Sequence, residues 1–163
     1  MESVTIRGGG QTGVDRAALD YAIRRGLPYG GWCPQGGWAE DLPTPPGLLT
    51  RYPCLTETPS HAPAQRTAWN VRDSNATLIL VRGPDLDSSP GTAFTRQCAE
   101  LIFLRPCLVV DLRTAGAVEQ ARDWLARIGG GLGEVVLNVA GPRESEAPGI
   151  YEAASAFLRE LLG

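Results

Sequence analysis

The chain contains no lysine: all fifteen of its basic residues are arginine. That excludes a phosphate-loop lysine, a Schiff-base lysine and any side-chain amine nucleophile. An anion held here is therefore held by guanidinium groups and backbone amides. His61 is the single histidine, and a lone histidine beside prolines is weak evidence for a catalytic or ligating role. The four cysteines, Cys33, Cys54, Cys98 and Cys107, match no metal-site spacing. A 17.4 kDa chain with a proper core needs no disulfide framework, so they read as reduced structural thiols. No apolar run reaches 18 residues, and no apolar signal region follows Met1. There is no basic tract, and the net charge is −3 with a pI of about 5.2, which argues against binding nucleic acid through its phosphates. These absences predict a cytoplasmic protein with a small-molecule partner, no nucleic acid and no membrane.

Length places the 163 residues in one domain, 1–163. The runs "SVTI" (3–6), "ATLILV" (76–81), "PCLVVDL" (106–112) and "EVVLNVA" (134–140) are short, β-branched and non-alternating, as strands buried on both faces are. Helical patterns occupy 13–25, 64–73, 92–104, 115–128 and 149–162. In the first, Val14, Ala17, Ala18, Tyr21 and Ala22 share one face, Thr12 and Asp15 read as a capping box, and Gly26 as the stop. The alternation predicts an α/β fold with a parallel sheet. The segment 28–63 breaks the rhythm: it holds eight of the thirteen prolines, Trp32, Trp38 and at most one short strand at 29–33. Such a stretch inside a domain reads as a functional loop.

Four glycines crowd the six residues "GGGQTG" (8–13), between the first strand and the first helix. They fit G-x-G-x-x-G at Gly8, Gly10 and Gly13, but the region where a dinucleotide site needs a carboxylate reads "YGGWCP". What survives is an anion site made of amides at a helix N-terminus. A second glycine–threonine element, "SSPGTAFT" (88–95), opens the third helix. Both elements reach one crevice if five strands lie in the order 2-1-3-4-5, with strands 1 and 3 flanking the switch point. Arg66 and Thr67, with Asn70 one turn on, fall on the helix entering that crevice, where an Arg fork suits a phosphate. The same order puts Arg143 two strands away, at a subunit contact or the start of the last helix.

The segments "GGQTGVDRAALD" (9–20), "GGWCP" (30–34), "AED" (39–41), "RTAWNV" (66–71), "ATLIL" (76–80), "PGTAFT" (90–95) and "NVAGPRES" (138–145) occur in the order and approximate spacing of the molybdenum cofactor carrier family. The chain resembles that family over nearly its whole length. More distantly it is similar to lysine-decarboxylase-like nucleotide phosphoribohydrolases and nucleotide-sensing domains. The resemblance implies a Rossmann-like three-layer αβα sandwich, a homo-oligomer (dimer or tetramer), and a phosphorylated pterin–molybdenum ligand, the molybdenum cofactor, bound as cargo. Carried across by position, its binding residues fall on Gly9, Gly10, Gln11, Thr12, Gly13, Asp15 and Arg16, on Arg66, Thr67 and Asn70, and on Gly91, Thr92 and Thr95. The pterin is expected to stack on an aromatic residue of 28–63, with Trp32 the first candidate. No catalytic residue and no metal ligand is assigned: Thr95 stands where the phosphoribohydrolases place a glutamate. Two other readings remain open. One is a hydrolase of N-glycosidic bonds using Asp15, Glu40 or Asp41, and the other a nucleotide-sensing domain.

Overall fold

Strand β1 (Ser3–Arg7) leads through the glycine loop into helix α1 (Val14–Arg25) and strand β2 (Tyr29–Cys33) in the computed structural model, which describes residues 3–83 and 88–163. A short 3-10 turn (Gln35–Gly37), helix α2 (Leu48–Arg51) and strand β3 (Leu55–Glu57) follow. The remainder alternates: α3 (Pro63–Arg72), β4 (Ala76–Val81), α4 (Pro90–Gln97) running into a π turn (Cys98–Ile102), β5 (Cys107–Asp111), α5 (Ala117–Gly129), β6 (Glu134–Ala140) and α6 (Ile150–Leu162). Helix α1 stops at Gly26, whose φ of 65° lies in the left-handed region that glycine adopts without penalty.

The described strands form one parallel sheet in the order β3-β2-β1-β6-β4-β5. On one face, Val14, Ala18 and Tyr21 of α1, Leu125 of α5 and Leu158 of α6 bury the side chains of β1, β6 and β4. Each such side chain contributes roughly 1.5–3 kcal/mol when fully buried. On the other face α3 packs against α4, around Val71, Cys98 and Ala99. The result is the expected α/β three-layer arrangement, and every residue of β4 is buried, as its apolar run requires.

Two expectations need correction. The sheet has six strands rather than five, and its order is not the predicted 2-1-3-4-5. The last strand, β6, enters the middle, pairing with β1 from Ser3–Glu134 to Arg7–Asn138 and with β4 from Ala76–Leu137 to Ile79–Ala140. Placing sequential strands side by side put it at an edge; α5 instead carries the chain back across β4. Polar ties fix it there: Val136 N donates to Asn75 Oδ1 (2.7 Å), and Asn138 Nδ2 donates to Thr77 Oγ1 (3.3 Å). The sixth strand, β3, escaped notice because three residues flanked by Pro53 and Pro59 are shorter than a typical strand. It pairs with β2, and a second core of Leu19, Cys33, Leu48, Tyr52 and Leu55 anchors 28–63 to the sheet. Burial pushes the Cys33 and Cys107 thiols up to about 11, as suits inert thiols.

Candidate functional site

The C-terminal ends of β1 and β6 open into one cleft, which α3 and the start of α4 also line. Nine of the residues predicted for binding line it: Gly9, Gln11, Asp15, Arg66, Thr67, Asn70, Gly91, Thr92 and Thr95. The two glycine elements do meet, but across β6 rather than side by side.

The first glycine loop owes its composition mainly to the chain's own packing. A Cβ on Gly9 would collide with Arg66 Nη1. At Gly13, with φ of 82°, it would collide with the carbonyl oxygen of Pro142. The capping box is absent: α1 starts from Gly13 with no side-chain cap. Thr12 Oγ1 instead donates to Glu40 and accepts from Glu144 N at 3.1 Å. Of the amides expected to stay open for an anion, Val14 N donates to Pro142 O and Arg16 N to Gln11 O. The backbone of Gly9 and Gln11 lies against the Asp15 carboxyl and acts to lower its pKa. Asp15 therefore lines the cleft beside this loop.

Arg66 is buried, donates from Nη1 to Gly9 O (3.1 Å), and stands 3.9 Å from Asp15 Oδ2. Burial pushes the Asp15 carboxyl up, opposed by Arg66 and the backbone of Gln11 and Gly9. Burial pulls Arg66 down, yet a guanidinium stays protonated. Asn70 is consumed by structure: its Oδ1 accepts from Trp32 N (2.8 Å) and its Nδ2 donates to Trp32 O (2.9 Å), pinning α3 to β2. Gln11 differs. Its Oε1 accepts from Thr12 N and Glu40 N, both at 3.0 Å, which fixes the amide's orientation, and its buried Nε2 has no protein partner. A buried donor without a partner on a cleft wall is a place for a ligand acceptor.

Helix α4 begins at Pro90, which carries no N–H, so its first donors are the amides of Gly91 and Thr92. Gly91 is exposed, and a Cβ there would meet nothing within 4 Å. Thr95 Oγ1 donates back to Gly91 O (2.9 Å).

Sequence reasoning missed the third wall of the cleft, made by β6 and the loop after it: Asn138, Gly141, Arg143 and Glu146. Gly141 is squeezed between Leu80 O and Val14. The signal was present as a third glycine following a strand, in "NVAGPRES". Glu146 Oε1 accepts from Ser89 Oγ (3.0 Å) and Arg143 N (2.9 Å), and Ser89 Oγ lies 2.6 Å from Thr92 Oγ1, so this loop and the start of α4 are one network. Arg143, expected to be remote, is a cleft residue. Its guanidinium carbon lies 5.5 Å from the centre of the Trp38 ring, and its Nη1 is 3.7 Å from Glu40 Oε2.

Gly10, Thr12, Gly13, Arg16 and Trp32 lie off the cleft. Gly10 packs on Leu48 and Leu55. Arg16 grips Asp41 through two 2.8 Å bonds and Gly10 O through Nε. Trp32 Nε1 donates to Asp73 Oδ2 (2.8 Å), and its ring meets Trp69 edge-on at 4.8 Å. Glu40 accepts from Thr12 and Ser145 and Asp41 from Arg16, and neither lines the cleft.

A profile of the circularly permutated YpsA SLOG family matches residues 6–162. The chain belongs to that family. A strand last in the chain and central in the sheet, as β6 is, suits a permuted member of a doubly wound fold. A crystal structure at 1.45 Å of a protein from Syntrophus aciditrophicus SB, named "Putative molybdenum carrier protein", is 39% identical, with a TM-score of 0.84 over 99% of this chain and 96% of that one. No curated protein matches. No described helix is long and apolar enough to cross a membrane.

Proposed function

We propose that this SLOG-family protein is a carrier for molybdenum cofactor and holds the cofactor's phosphate in the cleft at the ends of β1 and β6. The observation that carries the reading is the convergence of Arg66, Arg143, the unpartnered Gln11 Nε2 and the first amides of α4 on one small cavity. Guanidinium forks and helix-start amides are a phosphate's usual partners. The cavity measures about 60 Å³. At roughly 10–15 Å³ per water on that measure, it admits a phosphate-sized group and excludes a bicyclic ring. The name of the 39% identical relative supports molybdenum as part of the cargo, and the phosphorylated pterin is what the sequence resemblance implies. Among the described residues no group of three or more His, Cys, Asp and Glu could hold a metal ion.

The test is mass spectrometry under native conditions of protein purified from cells that make molybdenum cofactor. The expected result is a bound phosphorylated pterin, in stoichiometric amount and lost on Arg66→Gln. Protein that comes out carrying a nucleotide, or that releases free base from nucleoside monophosphates, would replace this reading.

A further inference from the structure

Beside the phosphate cleft lies a second, larger cavity of about 430 Å³, lined by Gln35, Gly36, Trp38, Pro43, Pro45, His61 and Pro63. Pro63 belongs to both cavities. Arg143 joins them a second time, since it lines the phosphate cleft while its guanidinium lies over the ring of Trp38. On one side of Pro63 and Arg143 are groups that hold an anion. On the other are an indole and prolines, surfaces that take a flat ring, with the Gln35 amide and the His61 imidazole among the lining groups to meet its polar edge. Trp32, the aromatic residue expected to stack on the ligand, is committed to Asp73 and Trp69 and lines neither cavity.

We infer that the Trp38 cavity is the ring subsite of the same ligand, and that the ligand class is a planar heteroaromatic phosphomonoester whose short arm crosses Pro63 and Arg143. The inference rests on the proposed phosphate site and adds to it a residue that sets specificity. The larger cavity has about seven times the volume of the phosphate cleft on the same measure, so the ring goes where the phosphate cleft has no room. Arg143 is the hinge of the arrangement: one guanidinium faces both the phosphate and the indole.

Calorimetric titration of the full chain with inorganic phosphate, neopterin monophosphate and GMP tests it. Wild type should bind at least one ring-bearing ester more tightly than phosphate. Trp38→Leu should weaken that ester on the order of tenfold or more and leave inorganic phosphate within about twofold. Trp38→Phe, which restores an aromatic face, should recover most of the loss. Preference for the pterin ester identifies the ring as a pterin, and preference for GMP a purine; either outcome supports the subsite. Equal losses for phosphate and ester in Trp38→Leu would mean that Trp38 only positions Arg143, and would overturn the inference. So would a wild type that binds phosphate but gains nothing from a ring, with the phosphate site left standing. A wild type that binds none of the three overturns the phosphate site and the inference together.

Discussion

The carboxylate of Asp15 stands 3.9 Å from the guanidinium of Arg66, and both side chains are buried at the cleft. The glycine loop after β1 thus has an acidic side chain of the protein itself against it. A ligand phosphate is left with the remaining faces of the cleft: Arg66 from α3, Arg143 from the loop after β6, and the start of α4. Asp15 also sets the strength of the site, because a carboxylate beside Arg66 offsets part of the attraction that Arg66 offers to a phosphate.

Removing that charge should tighten anion binding. Asp15→Asn keeps the size and shape of the side chain and removes the carboxyl group that opposes an anion. Its affinity for inorganic phosphate at pH 7 should rise severalfold over wild type. Calorimetry decides: an affinity that falls instead would show that the ligand needs Asp15 as an acceptor.

The same residue gives a pH signature opposite in sign to that of Asp41. Burial raises Asp15 above the ordinary value of about 3.9. Its contribution to stability is therefore complete below about pH 4 and is lost as pH rises through the native value. Asp41 is lowered, first by its hydrogen bonds from Arg16. Its contribution is complete above about pH 4 and is lost as pH falls through the native value. In thermal melts from pH 2 to 7, Asp41→Asn should be less stable than wild type at pH 7, with the deficit closing in acid. Asp15→Asn should be more stable at pH 7, with the gain vanishing below about pH 4. Parallel curves for the two variants would refute the assignment.

The βα junctions were legible because their chemistry is local: glycine-rich turns after apolar runs, a glycine stop at Gly26, a proline at the head of α4. The place of β6 was not, since nothing in "EVVLNVA" distinguishes a central strand from an edge strand with both faces covered. Every error about Arg143 follows from that single topological choice. The choice between the two tryptophans has a similar origin. Trp32 and Trp38 sit six residues apart in one segment, and only the fold shows that the first turns toward α3 and the second toward the cleft. The crowding of glycines at 8–13 was read as an anion site, whereas at Gly9 and Gly13 what comes close to the backbone is Arg66 and the Pro142 carbonyl.

Arg143 should matter as much as Arg66. Strand order read from sequence predicts that Arg66 matters far more than Arg143, whereas both residues line the cleft. Arg66→Gln and Arg143→Gln should each cost about 1.5–3 kcal/mol of phosphate binding, roughly tenfold to a hundredfold. Titration of both with inorganic phosphate checks this, and wild-type affinity in Arg143→Gln would remove that residue from the site.

Gly91 and Gly13 should respond in opposite ways to a side chain. Gly91 lies in the first turn of α4, and a Cβ there meets nothing within 4 Å, so Gly91→Ala should melt at or slightly above wild type, gaining up to about 1 kcal/mol. At Gly13, φ of 82° and ψ of −128° are closed to other residues and the Pro142 carbonyl blocks the position, so Gly13→Ala should lose about 2 kcal/mol or more, a drop of roughly 5 °C. Binding separates them again. Gly91→Leu puts a bulky side chain on the cleft wall at the start of α4 and should lose phosphate affinity tenfold or more while folding normally, because the glycine there lines the cavity and packs against nothing. A Gly91→Leu protein that folds and binds phosphate as wild type does would move the anion away from the start of α4.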